Sequence, residues 1–214
     1  MWRSLRPPRK GTDSRVSARE GFLGAAGIAE RRWFARPGHS MRYRKATEAD
    51  AKAIATLHAE SWRAHYRGAY RDEYLDGEVF EDRLRVWEAR LSAPAPNQFV
   101  ILAEEDDDLI GFACTYGAYD ESWGSLLDNL HVRPESHGQG VGLRLMSEVA
   151  AWCRANYPGY GLYLWVLESN HRAQRFYQHL GANDQGGEIS KPPGGGQIHG
   201  RRYAWKVVPD ISRE

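Results

Sequence analysis

His137-Gly138-Gln139-Gly140-Val141-Gly142 is the stretch on which the reading of this 214-residue chain turns. It follows a short apolar strand, Leu126 to Val132, and Pro134, and it opens directly into a segment where Val141, Leu145, Val149 and Trp152 recur at spacings of four, four and three. Those spacings place the four side chains on one stripe of a helix. Three glycines within five positions let the backbone turn sharply and approach a ligand without Cβ atoms in the way. The helix behind them offers unpaired N–H groups and a positive dipole end, so the arrangement suits a phosphate. A glycine-rich turn alone is equally well explained as loop geometry. A Walker loop needs Gly-Lys, a pair found nowhere in the chain, and the third glycine of a dinucleotide fingerprint would fall at Leu145.

A second informative segment begins about thirty residues on. Tyr160 to Leu167 is a continuous apolar run rich in aromatics, as expected of a central strand covered on both faces. Glu168, Ser169 and Asn170 break it, and Ala173, Phe176, Tyr177 and Leu180 then set a helical period that Gly181 ends. Asn170 and Tyr177, seven apart, fall two turns apart on one side of that helix.

Together the two segments resemble the GNAT N-acetyltransferase superfamily. Its acyl-CoA pyrophosphate loop runs Arg/Gln-x-x-Gly-x-Gly/Ala after a Val-x-x-Pro-like strand end, and here Val132-Arg133-Pro134 precedes the glycine loop. Its downstream pattern, Asn-x-x-Ala-x-x-Phe-Tyr-x-x-x-Gly, is met by Asn170, Ala173, Phe176, Tyr177 and Gly181 without a gap. The resemblance covers roughly residues 41 to 208. One departure stands at the first loop position, where His137 replaces the usual Arg or Gln; it removes a long donor near the phosphates and predicts weaker or pH-dependent coenzyme A binding.

The order of elements read along the chain agrees. Met41 to Lys45 is a first strand, Thr47 to Asp50 has the form of a capping box, and helices follow through Ile54 to Trp62 and Phe80 to Leu91. Gln98 to Ala103 and Leu109 to Tyr116 read as a hairpin joined by the acidic run Glu104 to Asp108, a solvated turn. Strands at Gly124 to Val132, Leu162 to Leu167, Ala182 to Ile189 and Arg201 to Val208 complete an α/β fold of order β-α-α-β-β-β-α-β-α-β-β, a GNAT-type mixed sheet of about seven strands with helices on both faces. Lys191 to Gly200 is a loop between the last two strands.

Composition bounds the class. A hydrophobic content of 42% with ordinary charge fits one globular domain. No stretch is apolar enough to span a bilayer or act as a secretory signal, so no membrane partner and a cytoplasmic location are expected. Cys114 and Cys153 read as buried thiols that make neither a disulfide framework nor a metal set. Residues 1–40 carry nine Arg or Lys against three acids, a charge of +6, which leaves −5 for the remainder of a chain whose total is +1. That basic arm reads as a disordered extension, or as residues upstream of a true start at Met41, rather than as a nucleic-acid arm. The resemblance implies a catalytic domain over residues 41–208, with 209–214 as a tail. A homodimer is compatible with the sequence.

The resemblance implies an acetyl-CoA-dependent N-acetyltransferase that moves an acetyl group to a primary amine of a small molecule by direct attack in a ternary complex. Acetylation of a protein N-terminus or lysine, and a degenerate module that binds acyl-CoA or a partner without turnover, are the rivals. Leu130, His131 and Val132 would pair through their backbone with the pantetheine arm. His137, Gly138, Gln139, Gly140, Val141, Gly142 and Leu143 would receive the pyrophosphate, and Asn170 would bond the pantetheine or cap its helix. Tyr177, a phenol protonated at neutral pH, is the candidate acid for the departing thiolate. The family's Glu falls at Leu126, so no base carries over; Asp128, on the same side of the strand, is the candidate base or ammonium-binding group, while His131 is expected on the other face. Trp62, Tyr66 and Tyr70, with His65 and Tyr74, are the expected walls of the amine site.

Overall fold

The computed structural model describes residues 40–192 and 195–211. The expected N-terminal extension and the end of the tail lie outside the described residues. Strand β1 (Met41–Lys45) is followed by a single 3₁₀ turn, Glu48–Asp50. The capping box is present there: the Thr47 backbone N–H and hydroxyl both donate to Asp50 Oδ2, at 2.7 and 2.9 Å, which fastens the turn that leads into helix α1 (Ala51–His65). A five-residue helix, α2 (Asp72–Asp76), which the periodicity did not announce, precedes α3 (Val79–Ser92).

Strands β2 (Gln98–Glu105), β3 (Asp108–Asp120) and β4 (Gly124–Val132) then run as an antiparallel meander. Helix α4 (Val141–Asn156), β5 (Leu162–Leu167), α5 (His171–His179), β6 (Asn183–Ser190) and β7 (Ile198–Trp205) complete the chain. The last strand begins three residues earlier than its apolar pattern suggests, because Ile198 pairs with Ser190 across the β6–β7 hairpin. The acidic run is not wholly solvated: Glu104 is 5% exposed and accepts from Arg42 and Arg44.

The seven strands lie in the order β1-β2-β3-β4-β5-β7-β6, antiparallel except for β4 beside β5. On one face α4 and α5 bury Leu145, Met146, Val149 and Tyr177 against Ile101, Leu127, Leu164 and Tyr203. On the other, Ile54, Leu57 and Trp87 of α1 and α3 cover Leu102, Phe112 and Cys114. Both cysteines are free and buried.

Two irregularities shape the centre of the sheet. β4 and β5 pair only from Ser125↔Leu162 to Leu127↔Leu164. Beyond that they part, β4 following β3 to Val132 and β5 following β7 to Leu167. The second is a β-bulge: Cys114 faces Asn129 while Thr115 faces Leu127, so Asp128 is the extra residue in β4. A strand that gains one residue reverses the faces of everything after it.

Candidate active site

A cavity of about 450 Å³ opens where β4 and β5 part. Its walls are Leu127 to Val132 of β4, except Asn129, with Leu164 to Leu167 of β5, the glycine loop, the start of α4, and Asn170, Ala173, Phe176 and Tyr177 at and within α5. Strands that have lost each other as partners leave backbone N–H and C=O groups of β4 turned toward this space, and such groups call for a ligand or water.

The glycine loop closes one end. Gly138 and Gly140 have φ of +78° and +80°, the left-handed region that favours glycine, and a Cβ at either would meet no atom within 4 Å. Conformation and not crowding therefore fixes these two glycines. Helix α4 makes its first internal bond from Arg144 N–H to Gly140 O, at 2.9 Å. The N–H groups of Val141, Gly142 and Leu143, all at the cavity wall, precede that bond and sit at the positive end of a sixteen-residue helix. A diphosphate fits this cradle.

His137 lines the cavity but does not reach out as Arg or Gln would: its Nε2–H donates to the Val132 carbonyl at 3.0 Å, tying the loop back to β4. Gln139 turns away from the cavity and donates to Glu135 O at 2.9 Å. Positive charge comes instead from Arg172, on α5, a wall residue that the family pattern does not mark. His65, from α1, is also at the wall; burial lowers its pKa first, and the nearby charges of His137 and Arg172 lower it further.

Tyr177 sits at the other end, 7% exposed, its ring held edge-on by Phe176 at 5.2 Å and Trp205 at 6.3 Å. Burial pushes its phenol well above the ordinary value, so it remains a proton donor at neutral pH. Asn170 caps α5 by accepting from Ala173 N–H at 3.0 Å and also faces the cavity.

Asp128 reaches the cavity, yet its carboxylate is already engaged. Arg90 of α3 pairs with it at 2.9 Å, the two side chains being 11% and 1% exposed, and Asn129 Nδ2 donates to the same oxygen. Burial pushes the carboxyl pKa up, but the charge and hydrogen bond of Arg90 help hold it below the usual range. A carboxylate so held is a poor proton acceptor.

The bulge corrects the expectation for His131. It lies on the same face as Asp128, against α1, with Ser61 Oγ 2.8 Å from its Nδ1 and Phe112 and His58 rings at 5.2 and 4.8 Å. Burial, with the nearby His65, brings its pKa down to about 3, so the ring is neutral at physiological pH.

The aromatic walls also differ from expectation. Tyr66 lines the cavity, but Trp62, Tyr70 and Tyr74 pack with Leu75, Val79, Leu167 and Ile198 in a cluster of their own. Arg83 stacks on Trp62 at 4.3 Å, and Tyr74 donates to Asp82 at 2.5 Å. Ser61, Arg172 and Trp165 at the cavity carried no signal in the sequence, since each stands there through tertiary contacts alone. Among the described residues no group of His, Cys, Asp and Glu is placed to hold a metal, and no helix is long and apolar enough to cross a membrane.

Comparison with known proteins gives a consistent picture. Residues 55–182 match the model of the acetyltransferase (GNAT) family. An uncharacterized N-acetyltransferase of Archaeoglobus fulgidus is 32% identical over 102 residues, 43% of this chain; the match spans 66% of that relative's length. Among solved structures, the PaiA N-acetyltransferase of Thermoplasma acidophilum, in complex with coenzyme A, superposes with a TM-score of 0.56 at 20% identity, covering 78% of this chain and 99% of that one. YncA of Salmonella typhimurium, a putative acetyltransferase with its cofactor acetyl-CoA, gives 0.56 at 20% identity over 78% and 93%. At these identities the structural likeness speaks for the fold.

Proposed function

Because the chain belongs to the acetyltransferase (GNAT) family, we propose that it transfers the acetyl group of acetyl-CoA to a primary amine of a small molecule by direct attack in a ternary complex. The observation that carries this reading is the cavity that joins the glycine loop, the parted strands and Tyr177. The coenzyme A or acetyl-CoA bound by structurally similar proteins supports it.

Acetyl-CoA supplies the thioester. Its diphosphate lies on the N–H groups of Val141 to Leu143, with Arg172 as the nearby cation. Its pantetheine amides take up the backbone groups that β4 no longer shares with β5, between Asp128 and Val132. That places the thioester at the vertex of the two strands. The amine nitrogen attacks the carbonyl carbon, a C–N bond forms, and the resulting oxyanion is met by backbone N–H of β4. Collapse breaks the C–S bond; the thiolate takes the proton of Tyr177 Oη, and the proton lost from nitrogen passes to water, which restores the phenol through solvent. Asp128, kept ionised by Arg90, draws the ammonium form of the acceptor to the site by charge; the ammonium gives up a first proton to water before it attacks, and Asp128 does not take it. Positioning carries much of the rate enhancement.

The test is release of free thiol by the full-length protein from acetyl-CoA with a panel of small primary amines. Amine-dependent release supports the proposal. Tight coenzyme A binding with no release from any small amine or peptide would reject it in favour of a binding module.

A further inference from the structure

Four side chains, Trp87, His58, His131 and Ser61, run from the core to the cavity wall, where both His131 and Ser61 stand. Trp87 Nε1–H donates to His58 Nδ1 at 3.0 Å, and Ser61 Oγ lies 2.8 Å from His131 Nδ1. The two imidazoles meet between these bonds, with centroids 4.8 Å apart. Burial above all keeps both rings neutral at physiological pH. An indole nitrogen can only donate, so His58 Nδ1 is an acceptor and His58 Nε2 carries the ring proton. His58 Nε2, Trp62 Nε1 and His131 Nε2 are all buried without a hydrogen-bond partner. The first two are N–H groups. Were His131 Nε2 protonated as well, the cluster would hold three unpaired donors, each costing about 1–3 kcal/mol. With a lone pair there instead, His131 Nε2 accepts from His58 Nε2–H, directly after a small ring rotation or through one water.

That tautomer leaves the His131 proton on Nδ1, where it is donated to Ser61 Oγ. The Ser61 hydroxyl proton then needs another acceptor. Helix serines and threonines often return it to the carbonyl four residues back, as Thr56 does to Lys52 O at 2.9 Å; among the described residues Ser61 bonds through its side chain to His131 and makes no such return. Its proton is therefore left for the cavity. We propose that Ser61 determines acceptor specificity, its hydroxyl donating to an uncharged oxygen carried by the amine that this site acetylates. Trp87, His58 and His131 are positioning residues that fix the direction of that hydrogen bond. The claim rests on the acetyl-transfer reading of the cavity. A carboxylate is the wrong partner. Asp128 and Arg172 are the fully charged residues of the wall, Arg172 faces the cofactor diphosphate in that reading, and His65, one turn along α1 from Ser61, is held toward its neutral form by burial. An anionic group beside Ser61 would face the Asp128 carboxylate.

Two measurements on the full chain test this. Nitrogen-15 NMR of the imidazoles should show His58 protonated on Nε2 and His131 on Nδ1 at neutral pH; a proton on His131 Nε2 would overturn the inference without any substrate. Thiol release from acetyl-CoA then compares 2-methoxyethylamine with butylamine and 3-methoxypropylamine with pentylamine, pairs in which an ether oxygen, able only to accept, replaces a methylene. With kcat/KM counted per unprotonated amine, the ether of at least one pair is expected to be favoured about tenfold. Ser61→Ala should erase that preference, and His131→Asn, whose side-chain N–H takes the place of Nδ1–H, should keep it. Equal turnover within both pairs, or a preference that survives Ser61→Ala, would overturn the inference and leave the cofactor reading intact. Should no amine or peptide release thiol, the acetyl-transfer reading falls and this inference with it, whatever the ring tautomers.

Discussion

Replacing Arg90 by Gln strips Asp128 of its guanidinium and also takes that group off the Trp87 and Tyr116 rings, which it lies over at 5.1 and 5.8 Å. The pair sits at 2.9 Å with the carboxylate side chain 1% exposed. At an effective dielectric constant of about 20, two unit charges at that distance attract by roughly 6 kcal/mol. Desolvation of both ions offsets part of this, so loss of the cation should destabilise by about 3–5 kcal/mol at neutral pH, the usual result of removing one partner of a buried ion pair. For a chain of this size that is a fall in Tm of roughly 6–20 °C. The pH dependence has a definite sign. Without Arg90 the burial of Asp128 meets less opposition, and its folded-state pKa rises from the depressed value it has beside the guanidinium. The variant's folded state takes up a proton at a higher pH than the parent's does, so the penalty is fully present at neutral pH and shrinks as pH falls through that raised pKa. Asp128→Asn combined with Arg90→Gln should recover much of the loss, giving a coupling energy of about 2–3 kcal/mol in a double-mutant cycle read by urea unfolding. Additivity of the two substitutions within about 0.5 kcal/mol would refute the idea that Arg90 holds Asp128 ionised and thereby disables it as a base.

Three further outcomes are expected of the site. Tyr177→Phe should lower kcat by about 10²-fold or more with acetyl-CoA affinity unchanged, measured as thiol release and by titration; an undiminished kcat would remove Tyr177 as the acid. With no enzymic base, kcat/KM should climb about tenfold per pH unit until the acceptor amine loses its own proton, and the raised pKa of Tyr177 predicts no falling limb below about pH 10; a plateau beginning near neutrality would reveal a titrating base. Gly140→Ala should cost about 1–2 kcal/mol, since φ is +80° and nothing crowds the new Cβ, and should weaken acetyl-CoA binding about tenfold or more by re-aiming the Val141 N–H. Gly186→Ala, with φ of +91° and equal space on β6, is the control that carries the same strain and leaves the affinity untouched.

Local pattern made the glycine loop, the Asn170 to Gly181 helix and the order of the principal elements readable in the sequence. Each of these depends on residues close together along the chain: φ-permissive glycines, a helical period, a cap. The bulge at Asp128 left no such mark, because an extra residue in β4 is defined only against its partner in β3. Its effect reached His131, which a regular strand would have turned to the opposite face. Arg90 lies 38 residues from Asp128, and no spacing rule connects a helix residue to a strand it meets only in the folded chain. The aromatics of α1 and the turn after it read as walls from their residue types alone. Trp62 and Tyr70 instead are only 2% and 7% exposed, since the short helix α2 folds back on them and supplies Tyr74 and Leu75 as packing partners.

The central claim is that main-chain N–H groups from Val141 to Leu143 hold the diphosphate of acetyl-CoA. Titration calorimetry of the full-length protein with acetyl-CoA and with S-acetylpantetheine, which keeps the thioester arm and lacks the diphosphate, addresses it directly. Saturable one-to-one binding of acetyl-CoA in the micromolar range is predicted, with an affinity for acetylpantetheine lower by about a hundredfold or more. Absence of heat with acetyl-CoA, or equal affinity for the two compounds, would contradict the claim.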